Sequence, residues 1–193
     1  VGMDVPMKEG RDLHASRLMQ EASADCPVEP VDAEHPLFIL YTSGTTGKPK
    51  GIFHTSGGYL TQAAYTNAVV HDVHPDTDVY WCTADVGWIT GHSYITYGPL
   101  ANGATQVMYE GTPDTPHQGR WWEIIADKKV SIFYTAPTAI RAIKKEDPEG
   151  IHLAEHDLSA LKYLFQAGER LDPGTYHWAS ERLGIPVVDH WWQ

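Results

Sequence analysis

A dense run of hydroxyl-bearing, glycine and lysine residues stands at positions 41–51, between two apolar segments. The run reads Tyr41-Thr42-Ser43-Gly44-Thr45-Thr46-Gly47-Lys48-Pro49-Lys50-Gly51. Glycines let backbone N–H groups approach an anion closely, hydroxyls add hydrogen-bond donors, and lysines add positive charge. The apolar segment before the run, residues 37–40, is predicted to be a buried strand. Together these features predict a loop that holds a polyphosphate.

This run departs from the phosphate loop of the common P-loop NTPases. That loop requires Gly, four residues, Gly-Lys and then Ser or Thr. Here Thr42 stands at the position of the first glycine, and Pro49 follows Lys48. An ordinary P-loop kinase or NTPase is therefore disfavoured. A hairpin loop with solvated lysines and no ligand is the simple alternative to phosphate binding.

The composition is that of an acidic globular chain of 193 residues, with a net charge of −11 and 42% hydrophobic residues. This charge argues against nucleic-acid or membrane-surface partners, because both select for basic patches. Cys26 and Cys82 give no disulfide framework and are typical of a reducing compartment. No apolar run approaches membrane-spanning length. We therefore expect a soluble, cytoplasmic protein.

Strand-like and helix-like segments alternate along the rest of the chain. Strands are predicted at residues 79–83, 105–109, 131–135, 161–165 and 186–189, with helices between them and a charged, exposed loop at 144–156. This alternation predicts an α/β fold with a mainly parallel β-sheet flanked by helices, in which 1–35 is a linking helical segment and 36–193 the core. Ligands of such sheets bind beyond the carboxyl ends of the strands. That rule selects 83–92, 135–137, 167–170 and 189–193.

These selected segments carry recognisable motifs. They are Ala84-Asp85-Val86-Gly87-Trp88-Ile89-Thr90-Gly91-His92-Ser93-Tyr94, Tyr134-Thr135-Ala136-Pro137-Thr138-Ala139-Ile140-Arg141, Gly168-Glu169 and Asp189-His190-Trp191-Trp192-Gln193. Together with the run at 42–50, and in this order, they resemble the adenylate-forming (AMP-binding) enzyme superfamily, closely its short-chain acetyl- and propionyl-CoA synthetase branch. The resemblance implies a fragment of that family's large N-terminal domain, with 36–193 as the adenylation core.

The resemblance implies a reaction in two steps. A carboxylate attacks the α-phosphate of ATP to give acyl-AMP and pyrophosphate, and the thiolate of coenzyme A then attacks the acyl-adenylate to give acyl-CoA and AMP. ATP, Mg²⁺ and coenzyme A are thus the implied cofactors and co-substrates, with a short-chain carboxylate as the acid. A non-catalytic nucleotide-binding module, which keeps the loop without the chemistry, is the alternative.

By the same resemblance, Lys50, Thr90 and Glu169 are expected to act in catalysis. The implied ATP-binding residues are Thr42, Ser43, Gly44, Thr45, Thr46, Gly47, Lys48, Lys50, Gly168, Glu169, Arg170, Asp189, His190, Trp191, Trp192 and Gln193. The implied acyl pocket is Ile89, Thr90, Ala167 and Trp192, and coenzyme A is expected to contact Thr90 and Asp114. Relatives carry Asn at this last position, whereas Asp accepts hydrogen bonds without donating any.

The residues implied for the acyl pocket predict the size of the acid that the pocket accepts. Acetate-specific relatives have Val where this chain has Ala167, which leaves room for an added methylene against Trp192. Burying one CH₂ is worth about 0.8 kcal/mol. We therefore expect propionate to be preferred and acetate accepted; an acetate-preferring enzyme is the alternative.

Both ends of the chain are expected to be cut, since it starts without Met and stops directly after a strand-like run. The family's Thr-Glu-Thr, whose Glu ligates Mg²⁺, is expected beyond Gln193. The small C-terminal domain that supplies the adenylating lysine is expected there too. By this interpretation the polypeptide does not turn over by itself.

Two histidine pairs have spacings that a metal ion could use. They are His71 with His74, and His152 with His156. Neither pair has a third ligand nearby in the sequence, so no metal-binding residue is predicted in this chain.

Overall fold

The structure is a computed structural model that describes residues 5–42 and 47–191, and the chain divides into two units, 1–32 and 33–193. The first unit contains helix α1 (Ala15–Glu21), which buries none of its residues. Leu18 and Met19 lie on this helix and are exposed, as is Leu13 before it. All remaining elements belong to the second unit.

The segments on either side of the glycine-, hydroxyl- and lysine-rich run form an antiparallel hairpin. Its strands are β1 (Pro36–Thr42) and β2 (Lys50–Thr55). The prediction of a strand at 37–40 is confirmed, but the prediction that it is buried is wrong. Among the described residues this sheet has only two strands. Phe38 packs edge-on against Tyr59 on one face, while Ile39 and Tyr41 on the other face are 57% and 68% exposed.

The core of the second unit is a parallel sheet of five described strands. They are β3 (Val79–Cys82), β4 (Thr105–Val107), β5 (Ile132–Thr135), β6 (Tyr163–Gln166) and β7 (Val187–Asp189), in the order β4-β3-β5-β6-β7. Every adjacent pair in this order is parallel. The predicted α/β fold with a parallel sheet is confirmed. The order changes direction between β3 and β5, which is where sheets of this kind open a crevice.

Helices flank the sheet. They are α2 (Ser56–Val69), α3 (Ile89–Gly91), a π-helix (His92–Tyr97), α4 (Gly98–Ala101), α5 (Arg120–Lys128), α6 (Pro137–Glu146), α7 (Ile151–Ala154) and α8 (Pro173–Leu183). On one face of the sheet Phe133 and Leu164 pack in a core with residues of α5, α6 and α8, and on the other Tyr134 and Phe165 pack with Tyr94. Successive strand residues point to opposite faces, so each strand contributes to both cores.

Local residue types explain where α6 and α8 begin and where α8 ends. Pro137 is the first residue of α6, where its missing N–H costs nothing. Asp172 caps α8, because its Oδ1 accepts a hydrogen bond from Thr175 N at 2.9 Å. Gly184 ends α8 in the left-handed region at φ 65°, which a residue with a Cβ adopts only with strain.

Helix α2 buries Tyr59, Ala63, Thr66 and Asn67, whereas Leu60 is 42% exposed. One expectation about the helices needs correction. Residues 144–156 are not one exposed loop. Asp147 is buried and accepts hydrogen bonds from the N–H groups of residues 151 and 152, so it starts the short helix α7.

The amino-terminal edge of the sheet is held by a buried carboxylate. Asp78 accepts hydrogen bonds from Ser131 Oγ at 2.8 Å, Lys162 Nζ at 2.6 Å and His74 N at 2.9 Å. Burial acts to raise the pKa of Asp78, but these three donors outweigh it and lower the pKa below its usual range. The residues of this network precede β3, β5 and β6, so one carboxylate ties three strands together.

No helix in the described ranges has the length and apolar character needed to span a membrane.

We predict that Asp78→Ala lowers the free energy of unfolding by about 2 kcal/mol, because the buried Ser131 hydroxyl and the His74 N–H lose their acceptor, while Lys162 is half exposed. Urea denaturation of the wild type and the variant measures this difference. Asp127→Ala is the matched control, since Asp127 forms an exposed ion pair with Lys128, and its effect should stay within about 0.5 kcal/mol. Equal effects of the two variants would contradict the prediction.

Candidate functional site

The carboxyl-terminal edge of the sheet continues as a hydrogen-bonded row beyond the strands. Thr83 Oγ1 donates to Thr135 Oγ1 at 2.7 Å. Ala167 N donates to the carbonyl of Thr135 at 3.1 Å, and His190 N donates to the carbonyl of Gln166 at 2.7 Å. The segments after β3, β5, β6 and β7 therefore begin side by side at one edge of one sheet.

The loop after β6 leaves the sheet at a glycine. Gly168 has φ 102°, and no atom lies within 4 Å of the position that a Cβ would occupy. Ala167 before it is buried in the same core cluster as Tyr94 and Ile95, which follow the predicted pocket residues of the β3 loop. The predicted acyl-pocket alanine is thus an interior residue, and the space beside the next residue, Gly168, is open.

Glu169 is engaged by two side chains of helix α6. Its Oε1 accepts hydrogen bonds from Thr138 Oγ1 and from Arg141 Nη2, the latter at 2.6 Å. The Arg141 guanidinium is the main cause that lowers the pKa of Glu169, followed by the Thr138 hydroxyl. Arg141 also reaches Asp172, the cap of α8, with Nη1–Oδ2 at 3.1 Å.

Thr138 and Arg141 were not among the site residues expected from the sequence. The available signal was their spacing, because positions i and i+3 lie on one face of a helix. Both also lie inside a motif segment that the resemblance selected, residues 134–141. Their meeting with Glu169 depends on how α6 packs beside the β6 loop, which spacing does not reveal.

The segment after β7 begins with one exposed and one buried side chain. Asp189 is exposed, and its Oδ2 accepts a 3.4 Å hydrogen bond from Leu171 N. His190 is buried, whereas Trp191 is 76% exposed. Trp192 and Gln193, which the sequence assigned to the acyl pocket and to ATP binding, lie outside the described residues.

A buried pair of histidines, His71 and His190, anchors the segment after β7 to the core. His190 Nδ1 lies 3.0 Å from the Tyr134 hydroxyl and 3.4 Å from His71 Nε2, and Asn67 Nδ2 lies 3.2 Å from His71 Nδ1. These three contacts fit two neutral histidines that carry their proton on Nε2, with His190 Nδ1 shared as acceptor between His71 and Tyr134. Burial, with the neighbouring His190 as a further cause, lowers the pKa of His71 to about 3, and burial lowers the pKa of His190.

The two histidines of the first sequence pair have different environments. His71 is fully buried against four aromatic rings, whereas His74 is exposed and pairs with Asp72. Within the described ranges no three His, Cys, Asp or Glu side chains converge on a point where they could hold a metal ion.

The segment after β3 turns sharply into the helices. A Cβ on Gly91 would collide with the carbonyl of Asp85, so the turn requires glycine there. Ile89 and Thr90 are half-buried in α3, directly before the π-helix. π-Helical turns are rare and often lie at functional sites.

The described members of the predicted phosphate run lie at the end of the hairpin where β1 stops and β2 begins. Thr42 pairs with Lys50 across the two strands, and both are exposed. Gly47 has φ 81° and Lys48 is exposed, while Ser43, Gly44, Thr45 and Thr46 lie outside the described residues. The strand pairing that the simple hairpin alternative requires is therefore present.

Asp114, the expected contact for coenzyme A, is exposed in the loop after β4. Its carboxylate accepts a 2.7 Å hydrogen bond from Thr112 Oγ1, which lowers its pKa. A cavity of about 500 Å³ opens near this loop, at the carboxyl ends of β3 and β4. Its lining is mixed: Trp81, Tyr109 and Trp121 contribute aromatic rings, and Asp85 and Glu110 contribute carboxylates.

Comparisons with known proteins give one consistent result. The model of the AMP-binding enzyme family matches residues 3–193. An acetyl-coenzyme A synthetase of Streptomyces avermitilis is 60% identical over 195 residues, which cover 100% of this chain and 30% of that protein. Acetyl-coenzyme A synthetases of Streptomyces coelicolor and Rubrobacter xylanophilus are 60% and 56% identical with the same coverage. The chain thus spans 30% of the length of these curated relatives.

We predict that His71 makes the protein sensitive to mild acid. Its pKa in the folded state is below that of an unfolded histidine, about 6.5, so the unfolded chain takes up the proton first as the pH falls. The stabilisation is complete above pH 6.5 and is lost towards pH 3, by about 1.4 kcal/mol per pH unit. Urea denaturation at a series of pH values between 6.5 and 4.5 measures this slope.

His71→Phe should make the slope shallower, because the aromatic variant has no proton to bind. His74→Phe is the control, since His74 is exposed, and should leave the slope as in the wild type. A slope that is the same in His71→Phe and in the wild type would rule out this role of His71.

Proposed function

Because the chain belongs to the AMP-binding enzyme family, we propose that the protein containing it is an ATP-dependent acid–CoA ligase. It joins a short-chain carboxylate to AMP with release of pyrophosphate and then transfers the acyl group to coenzyme A. The main structural support is the meeting of four motif segments at one edge of a parallel sheet. The chain spans 30% of its relatives' length, so the reaction is proposed for the complete protein.

The first step builds negative charge on phosphate oxygens, which fixed donors and cations stabilise. We assign the run from Thr42 to Lys50 to the β- and γ-phosphates. Within residues 5–42 and 47–191, neither Lys48 nor Lys50 forms an ion pair, so both ammonium groups are available to an anion. This availability, beside glycine in the loop, supports phosphate contact over a purely structural hairpin.

The β6 and β7 loops are assigned to the adenosine and the α-phosphate. Gly168 offers open backbone at φ 102°, and Glu169 and Arg170 follow it as exposed charged residues. Asp189 and Trp191 are exposed on the adjacent loop and belong to the same assignment. His190 is buried beneath them, so its proposed contribution is to hold this loop in place.

Mg²⁺ enters this proposal with ATP as the MgATP complex. The described part of the chain offers no set of three carboxylate, histidine or cysteine ligands. No residue of this chain is therefore assigned to magnesium.

Thr90 and Asp114 are proposed to approach coenzyme A. Thr90 is half-buried at the start of α3, where its hydroxyl can donate to a ligand at the sheet edge. Asp114 can only accept hydrogen bonds when ionised, and it already accepts one from Thr112. Its contact with coenzyme A must therefore use a donor group of that molecule.

Free Cys26 and Cys82 support a reducing, cytoplasmic location.

We propose propionate as the preferred acid and acetate as an accepted one. The support is the small side chain of Ala167, a buried residue directly before the open Gly168. Acetate preference is the second candidate, because the relatives named above are called acetyl-coenzyme A synthetases. One methylene in a pocket discriminates by roughly 1–3 kcal/mol, so the two candidates are separable by kinetics.

The ligase assignment predicts pyrophosphate release that requires a short-chain acid. The complete protein is incubated with MgATP, with and without propionate or acetate, and pyrophosphate, orthophosphate and acyl-CoA are measured. We expect pyrophosphate only with the acid, and acyl-CoA once coenzyme A is added. Orthophosphate release without any acid would instead indicate an NTPase, and ATP binding without products would indicate a nucleotide-binding module.

The acid preference predicts a change on Ala167→Val. Two added methyl groups should lower the ratio of kcat/KM for propionate to that for acetate by about tenfold, with ATP saturating. Ala142→Val is the matched control, because Ala142 is exposed on α6, and should leave the ratio unchanged. An acetate preference already present in the wild type would decide for the second candidate.

A further inference from the structure

We propose that Arg141 is a positioning residue, which ties Glu169 to the cap of α8 and so fixes the loop between β6 and α8 in its nucleotide-receiving conformation. This inference rests on the function proposed above and assigns a role to a residue that neither the motif reasoning nor the comparisons assigned.

Only the ends of this loop are held by the sheet. At its start the N–H of Ala167 donates to the carbonyl of Thr135, and at its end the N–H of Leu171 donates to Asp189 Oδ2. The three residues between them are exposed. At Gly168, where the chain turns, no neighbouring atom would touch a Cβ. Packing therefore does not determine the position of Glu169.

Arg141 supplies the missing restraint from helix α6. Its Nη2 lies 2.6 Å from Glu169 Oε1, and its Nη1 lies 3.1 Å from Asp172 Oδ2. Asp172 uses its other oxygen to cap α8 through Thr175 N. One planar guanidinium thus connects the middle of the loop to the start of a helix. Thr138, one turn earlier on α6, adds a hydroxyl contact to Glu169.

The exposure of these groups argues that the arrangement serves position more than stability. Arg141 and Glu169 are 38% and 41% exposed, and ion pairs at such sites contribute little to the free energy of unfolding. The geometry nevertheless requires arginine, because two carboxylates are addressed by two separate nitrogens of one rigid group. A lysine presents a single ammonium and cannot reproduce this arrangement.

Arg141 also changes the local charge. Glu169 and Asp172 together carry two negative charges beside a loop that we assign to the nucleotide, and Arg141 neutralises one of them. Without Arg141, the uncompensated carboxylate would repel the phosphates of ATP. Loss of Arg141 should therefore weaken the apparent affinity for ATP more than that for the acid or coenzyme A.

The test is steady-state kinetics of the complete protein with Arg141→Gln and Arg141→Lys. We expect Arg141→Gln to raise the KM for ATP by about tenfold or more, with a smaller change in the KM for the acid. Arg141→Lys should not restore the wild-type KM for ATP, because a single ammonium group cannot contact Glu169 and Asp172 with two separate nitrogens. Arg182→Gln is the matched control, since Arg182 forms an exposed pair with Glu149 at 3.1 Å, and should behave as the wild type.

A merely structural role would lower the free energy of unfolding and the fraction of active enzyme while leaving the KM for ATP unchanged. That result, or wild-type kinetics in either Arg141 variant, would overturn the inference. If Arg141→Gln does not fold, Asp172→Asn decides. Asn is an equally good helix cap but lacks the charge that holds Arg141, so an unchanged KM for ATP would again overturn it. Release of pyrophosphate by the wild type without any carboxylic acid would instead count against the proposed function.

Discussion

The parallel hydrogen-bonded register of β3, β5, β6 and β7 is the constraint on which the rest of the structure depends. Parallel strands end at the same edge of a sheet, so four loops that are far apart in the chain start next to one another. The ladder continues past the strands through the N–H groups of Thr83, Ala167 and His190. A change of register in any of these strands would move its loop out of the site and turn its side chains to the other face.

The buried network of Asp78 and the candidate site lie at opposite edges of this sheet. At the amino-terminal edge, buried Asp78 joins three strand starts and has no access to a ligand. At the carboxyl-terminal edge, Glu169 and Arg141 are partly exposed and contribute little to stability. The exception is the buried pair of His71 and His190, which supports the β7 loop from inside the core. The candidate site thus combines partly exposed charged side chains with a buried histidine pair that packs beneath one of its loops.

Local patterns predicted the elements of this fold well. The proline and aspartate that begin α6 and α8, and the glycine that ends α8, act through nearest neighbours along the chain. Predictions about burial were less reliable. Residues 37–40 are as apolar as a core strand, yet they form part of a two-stranded hairpin with one face open. Burial depends on what covers an element, and a window of sequence contains no information about that.

The sequence by itself determined the α/β class, the order of the motifs and the family, because propensity, capping and motif spacing are properties of short stretches. Only the tertiary structure decided which side chains meet. His71 and His190 are 119 positions apart, and Arg141 reaches Glu169 from a different element. Such pairs are created by strand order and helix packing, which bring distant residues within hydrogen-bonding distance. The contacts that support the candidate site could therefore be identified only from the fold.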